Sequence, residues 1–155
     1  MKRQQIQVYA DTSVYGGVFD EEFADASSLF FDQVRSGDFT LYISDVVHKE
    51  LIVAPDNVNG LFEEILPYCR LAEISENTLE LQQSYIKEGI LSEKWYDDAL
   101  HVAIATVADC DVIVSWNFKH IVNFQKIPMF NAVNVLNGYK PIAIHSPMEV
   151  INYGE

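Results

Sequence analysis

Three carboxylates stand in separate stretches of the chain, each beside a short apolar run. Asp11 closes the alternating segment Ile6, Val8, Ala10 within VYADTSVYGG, Glu50 lies in SDVVHKEL, and Asp98 lies in DDALHVAIA. Acids brought together from separate segments offer the oxygen ligands that a hard divalent ion takes, with coordination positions left open for water. Such an ion lowers the pKa of a bound water and neutralises charge on a phosphoryl group during in-line displacement. Without a cation, clustered carboxylates repel one another and raise each other's pKa. Two short polar residues, Ser115 and Asn117, end a further apolar run and complete the set. Taken singly, each acid has a plainer reading: Asp11 as a turn or cap before Thr12-Ser13, Glu50 beside Lys49 as a solvated helix face, Asp97-Asp98 as surface acids. Their joint placement favours the chemical reading.

That placement depends on alternating strands and helices. Period-two alternation predicts a first strand ending at Asp11, and Phe23, Ala26, Leu29, Phe30 and Val34 predict a helix over 22–36 with Gly37 after its end. A strand over 39–43 precedes a helix that Ser44 caps and Pro55 stops. A short helix runs to Pro67 and a strand covers 69–74. Ser75 caps a helix to Gly89, with Leu79 and Ile86 inward, and Ser92 caps a longer one to Ala108, with Trp95, Ala99, Val102, Ala103 and Thr106 on one stripe. The run 112–115 reads as a strand buried on both faces, and 142–144 as the last strand. The pattern predicts one α/β domain over 1–155, a three-layer α/β/α sandwich on a mostly parallel sheet. In such sheets ligands gather beyond the carboxyl ends of strands. That favours Asp11 to Ser13, Ser44 to Glu50 and Ser115 to Asn117, and places Asp109 and Asp111 at the opposite edge.

Composition narrows the class. The 155 residues are 49% hydrophobic and 21% charged, with 23 acids against 10 bases and a formal net charge of -13. So apolar a chain builds a core and is not intrinsically disordered. No run is long and apolar enough for a bilayer, and the start, residues 1–5, has no apolar leader stretch, so the expectation is a soluble, cytoplasmic protein with no membrane association. Cys69 and Cys110 have neither the number nor the spacing of a disulfide framework or zinc site and read as buried thiols. No H-E-x-x-H, Gly-rich phosphate loop or nucleophile elbow occurs, which removes zinc peptidases, P-loop enzymes and serine hydrolases.

In order and spacing, VYADTSVYGG, SDVVHKEL, DDALHVAIA and DVIVSWNFKHI resemble the signature blocks of PIN-domain nucleases, close to VapC-type toxins. The resemblance covers nearly the whole chain. It implies a magnesium- or manganese-dependent endoribonuclease that leaves a 5'-phosphate and a 3'-hydroxyl. By position it makes Asp11, Glu50 and Asp98 the acidic site residues, with Asp97 the alternate if the register shifts by one, and Ser115 the Ser or Thr after the fourth strand. The chain has Asn117 where many members carry a fourth acid, which supplies an oxygen but no charge. The expected roles are Asp11 and Asp98 as direct metal ligands and Glu50 as a ligand through water or a proton acceptor. Ser115 and Asn117 are expected to hold water or a phosphate oxygen. The resemblance also implies an RNA substrate, a small antitoxin partner and a homodimer. Two alternatives remain open: a weakly active or inactive PIN-like binding or scaffold module, and an RNA-processing nuclease that is not a toxin.

Several residues invite further roles. His101, one turn after Asp98, reads as a supporting residue, and His48 and His120 as solvent-facing. Trp116 and Phe118 offer base-stacking faces, one of them more suited to the core. Gly16-Gly17 reads as a turn, with Tyr15 packing or stacking nearby, and Asp20-Glu21-Glu22 as a helix N-terminus. The acidity is uneven: from Val112 to Met148 there is no Asp or Glu, while Lys119, Lys126 and Lys140 occur there. This local basicity, helped by Lys49 and Lys94, predicts weak, salt-sensitive RNA binding.

Overall fold

A computed structural model of the chain describes residues 5–154; residues 1–4, where the leaderless start is expected, lie outside them. The first half runs β1 (Ile6–Ala10), α1 (Thr12–Gly17), α2 (Ala24–Arg35), β2 (Phe39–Ile43), α3 (Asp45–Ile52), α4 (Asp56–Ile65) and, after a 3-10 turn, β3 (Cys69–Leu71). The second half runs α5 (Glu76–Lys87), a 3-10 turn (Glu93–Trp95), α6 (Tyr96–Val107), β4 (Val112–Val114), α7 (Ile127–Leu136), β5 (Ala143–His145) and α8 (Pro147–Val150).

The five strands form one all-parallel sheet in the order β3-β2-β1-β4-β5. Val8 of β1 lies opposite Leu41 of β2 on one side and Val112 of β4 on the other. Helices α1 to α4 pack together, with α8 against α2, while α5 packs on α6 and α7. This is the expected three-layer sandwich. Val8, Tyr9 and Ala10 are fully buried, as a central strand covered on both faces requires. The chain leaves β1 for β2 and β3 on one side, then crosses to β4 and β5 on the other. The topological switch therefore falls between β1 and β4, and Asp11 and Ser115 directly follow those two strands.

Ser44 caps α3 by accepting from Val47 N at 3.3 Å, and Ser75 forms a capping box with Thr78 at the start of α5. Other expectations need correction. Thr12 to Gly17 is a helix rather than a turn, and Gly17 serves close packing: a Cβ there would stand 2.5 Å from Ser27 Oγ and 2.7 Å from Trp116 Nε1. Gly17→Ala is expected to cost about 1–3 kcal/mol by overpacking, read from urea denaturation. The Asp20 to Phe23 stretch is a turn ahead of α2. On α5, Leu79 faces solvent, while Thr78, Leu81, Gln82 and Tyr85 point inward. Buried Gln82 donates its amide nitrogen to Tyr96 O at 2.9 Å, while its Oε1 has no partner among the described residues. Ser92 caps no long helix; the 3-10 turn intervenes and α6 begins at Tyr96.

Cys110 is buried and Cys69 half-buried, both as free thiols. Burial lifts each thiol to about 12. Both should resist alkylation by iodoacetamide near pH 8 in the native protein and react on unfolding in urea; mass spectrometry of the native and unfolded labelling reactions checks this.

Candidate active site

Two hydrogen-bonded groups of residues meet at the carboxyl edge of the sheet. The first centres on Asp11, which is 4% exposed. Its Oδ1 accepts from the Ser13 hydroxyl at 2.5 Å and its Oδ2 from the Ser115 hydroxyl at 2.6 Å. Ser13 Oγ accepts from Trp116 N at 2.9 Å, and Ser115 Oγ accepts from Asn117 N at 2.9 Å. The ends of β1 and β4 are thus stitched together through one carboxylate. From Asn117 the network continues: its Oδ1 accepts from His120 N at 2.9 Å, shaping the turn that delivers His120 Nδ1 to Asp98 Oδ2 at 2.7 Å.

The second group centres on His101, which is 2% exposed on the inward face of α6. Its Nε2 lies 3.0 Å from Glu50 Oε1 and its Nδ1 lies 2.7 Å from the Tyr9 hydroxyl. Tyr9 in turn meets Ser44 Oγ at 2.9 Å, and the Thr12 hydroxyl donates to Glu50 Oε2 at 2.6 Å. The residue that caps α3 and the acid near its far end are therefore tied through β1 and α6 into one loop.

The electrostatics follow from burial without a fixed cation. Burial raises the Asp11 carboxyl above its usual range; His101, Ser115 and Ser13 pull it back, and the nearby charge of Asp98 adds to the rise. Burial also works to raise Glu50, but the bond and charge of His101, with the bond from Thr12, hold it below the usual carboxylate range. At His101, burial disfavours the charged form, yet the bond to Glu50 and the charges of Asp11, Glu50 and Asp98 raise it overall. One imidazole thus feels all three acids. Among the described residues, no lysine or arginine forms an ion pair with Asp11, Glu50 or Asp98.

All five expected site residues lie on these two networks. Asp97 is exposed, while Asp98 is half-buried and bonded to His120. The Ser115 hydroxyl donates to Asp11, and Asn117 Oδ1 accepts from His120 N in the following turn. His120 is 7% exposed rather than solvent-facing, whereas His48 is exposed and stacks on Phe62. Trp116 is core and Phe118 is half exposed. Tyr15 packs between Phe31 and Phe62 away from solvent. The supporting roles of Tyr9, Thr12 and Ser13 went unread. The spacing Asn117-x-x-His120 is the local signal for that turn, since an Asn side chain commonly accepts from the amide three residues on.

Both oxygens of Asp11 and of Glu50, and one of Asp98, already accept hydrogen bonds from neighbouring side chains. Among the described residues, no three His, Cys, Asp or Glu side chains are closed on a single point in metal-binding geometry. The donor set itself is hard oxygen, held by hydroxyls and imidazoles in the way that supporting partners orient metal ligands. No protein-family model and no curated protein sequence matches the chain. Among the described residues, no helix is long and apolar enough to cross a membrane.

Proposed function

We propose that the chain is a PIN-like, metal-dependent endoribonuclease whose centre is the Asp11, Glu50, Asp98 trio. The observation that carries this reading is a buried carboxylate, raised by its surroundings, that shares an acidic edge with two further acids and, among the described residues, has no lysine or arginine paired with it. Oxygen donors in that state suit magnesium or manganese. Asp11 and Asp98 would hold the ion, with Glu50 reaching it through water. A bound ion supplies Lewis acidity at a phosphate oxygen and a water of lowered pKa.

The protein's own groups have distinct tasks. Glu50, held below the usual range, is ionised at neutral pH and can accept a proton from water at its Oε1 or Oε2. His101 and Thr12 keep that carboxylate aimed. Ser13 and Ser115 fix Asp11, and His120 fixes Asp98. A cleavage assay on short single-stranded RNAs tests the reading. Wild type should cut with magnesium or manganese and stop in EDTA, and Asp98→Asn should be inactive. Equal cutting by Asp98→Asn, or cutting in EDTA, would remove it.

A second reading has its own support. Because the carboxylate oxygens are occupied by protein donors, the same fold could serve as a binding or scaffold module without cleavage. That module binds RNA or a partner and leaves RNA intact in every ion tested. The toxin form of the nuclease reading adds a small antitoxin, a homodimer and a cytoplasmic site of action. Growth arrest on expression, relieved by Asp11→Asn, separates it from an RNA-processing nuclease.

A further inference from the structure

Beside Asp98, three side chains that the reading above leaves unused form a platform. Trp95, at the entry to α6, is half-buried, and its ring lies 4.3 Å from that of His120 at an angle of 38°. His120 is the residue bonded to Asp98 at 2.7 Å, so the indole is one side chain removed from the proposed centre. Lys94 Nζ stands 5.0 Å and Lys119 Nζ 5.6 Å from the Trp95 ring centroid. Both lysines are exposed, and among the described residues neither lies within ion-pairing distance of a carboxylate.

That arrangement is unusual for a chain with 23 acids and 10 bases. Two cations drawn to one ring repel each other, and an anion placed between them relieves the repulsion. The other basic groups of the acid-free stretch are committed elsewhere. Lys126 donates to Ile90 O at 2.9 Å, Lys140 lies 3.8 Å from Asp109, and His145 lies 3.2 Å from Glu149. The positive charge of that stretch is therefore available at one place, next to the acids.

We infer that Lys94, Trp95 and Lys119 bind an unpaired nucleotide of the strand that is cut, on the Asp98 side of the scissile bond. The lysine heads leave the indole for two phosphates, and the uncovered ring face takes the base. The inference rests on the nuclease reading and deepens it by naming the subsite.

Fluorescence anisotropy with labelled oligouridylate and oligothymidylate, in EDTA, tests it on the full chain. The variants are the double substitution Lys94→Gln with Lys119→Gln and a control of equal charge change, Arg70→Gln on the edge strand β3 with Lys140→Gln beside Asp109. The site variant should lose about tenfold in affinity and flatten the log–log salt slope by about 1.4, two single-strand phosphate contacts. The control should stay within about twofold, as expected when no phosphate contact is removed. Quenching of Trp95 fluorescence by the bound strand should vanish in the site variant, and the oligomer that binds identifies the sugar. Unchanged affinity and slope in the site variant, an equal loss in the control, or no binding of either oligomer by wild type overturns the platform. Because the assay runs without metal, a chain that binds through these lysines but never cuts RNA removes the nuclease reading and keeps the platform as a binding site. A chain that cuts RNA with unchanged KM in the site variant keeps the nuclease and removes the platform.

Discussion

Asp11→Asn is expected to do two opposite things: abolish metal-dependent RNA cleavage and stabilise the metal-free protein at neutral pH. The first follows because Asp11 joins the ends of β1 and β4 through Ser13 and Ser115 at the topological switch. The loss should exceed the roughly 100-fold that marks the upper range for partners that merely orient a ligand. The second follows from burial, which raises the Asp11 carboxyl above its unfolded value. A group raised in the folded state binds its proton more tightly there. Its contribution to stability is full below the unfolded pKa and is lost as pH rises through the folded pKa. At neutral pH the wild type therefore carries an unfavourable buried charge that Asn does not. The Tm of Asp11→Asn should exceed that of wild type in EDTA at pH 7.5, by about 2–4 °C for each kcal/mol relieved. The gap should close as pH falls below the ordinary carboxylate range. A lower Tm for the variant at pH 7.5 would show that its hydrogen bonds matter more than its charge.

His101→Leu is expected to lower both stability and activity. The imidazole is buried and bonds both Tyr9 and Glu50. Leucine fills a similar volume and makes neither bond. Tyr9 keeps Ser44, and Glu50, with its side chain about one-third exposed, recovers part of its hydration, which limits the penalty. The expected cost is about 1–3 kcal/mol, read from urea denaturation in EDTA. Activity should fall by about 10–100-fold, as for partners that orient a metal ligand, because Glu50 is no longer held. Wild-type stability in His101→Leu would mean that the Tyr9, His101, Glu50 chain contributes no net free energy.

The strands and the caps were legible because their signals are local. Alternation over Ile6 to Ala10 and the serine before each of α3 and α5 act within a few residues. Helix α7 went unread because its pattern is inverted: Asn134 is fully buried, bonded to Tyr85, while Val135 and Leu136 face solvent. The same inversion on α5 puts Gln82 inside and Leu79 outside. In both places a buried amide finds a partner distant in sequence: Asn134 Oδ1 accepts from the Tyr85 hydroxyl, and the Gln82 amide nitrogen donates to Tyr96 O. At the candidate site, the position of Asp11 was legible because strand ends gather at one edge of a parallel sheet. His101 read as a supporting residue from its place one turn after Asp98, but the burial of His120 was not legible, because its partner Asp98 lies 22 residues away.

The central claim is that Asp11, Glu50 and Asp98 hold a divalent cation. Isothermal titration of the metal-free chain with manganese, at neutral pH, tests it without reference to any substrate. Saturable binding by wild type, abolished in Asp11→Asn and in Asp98→Asn while both variants remain folded by circular dichroism, is the predicted result. Absence of binding by wild type, or binding that persists unchanged in both variants, would contradict it.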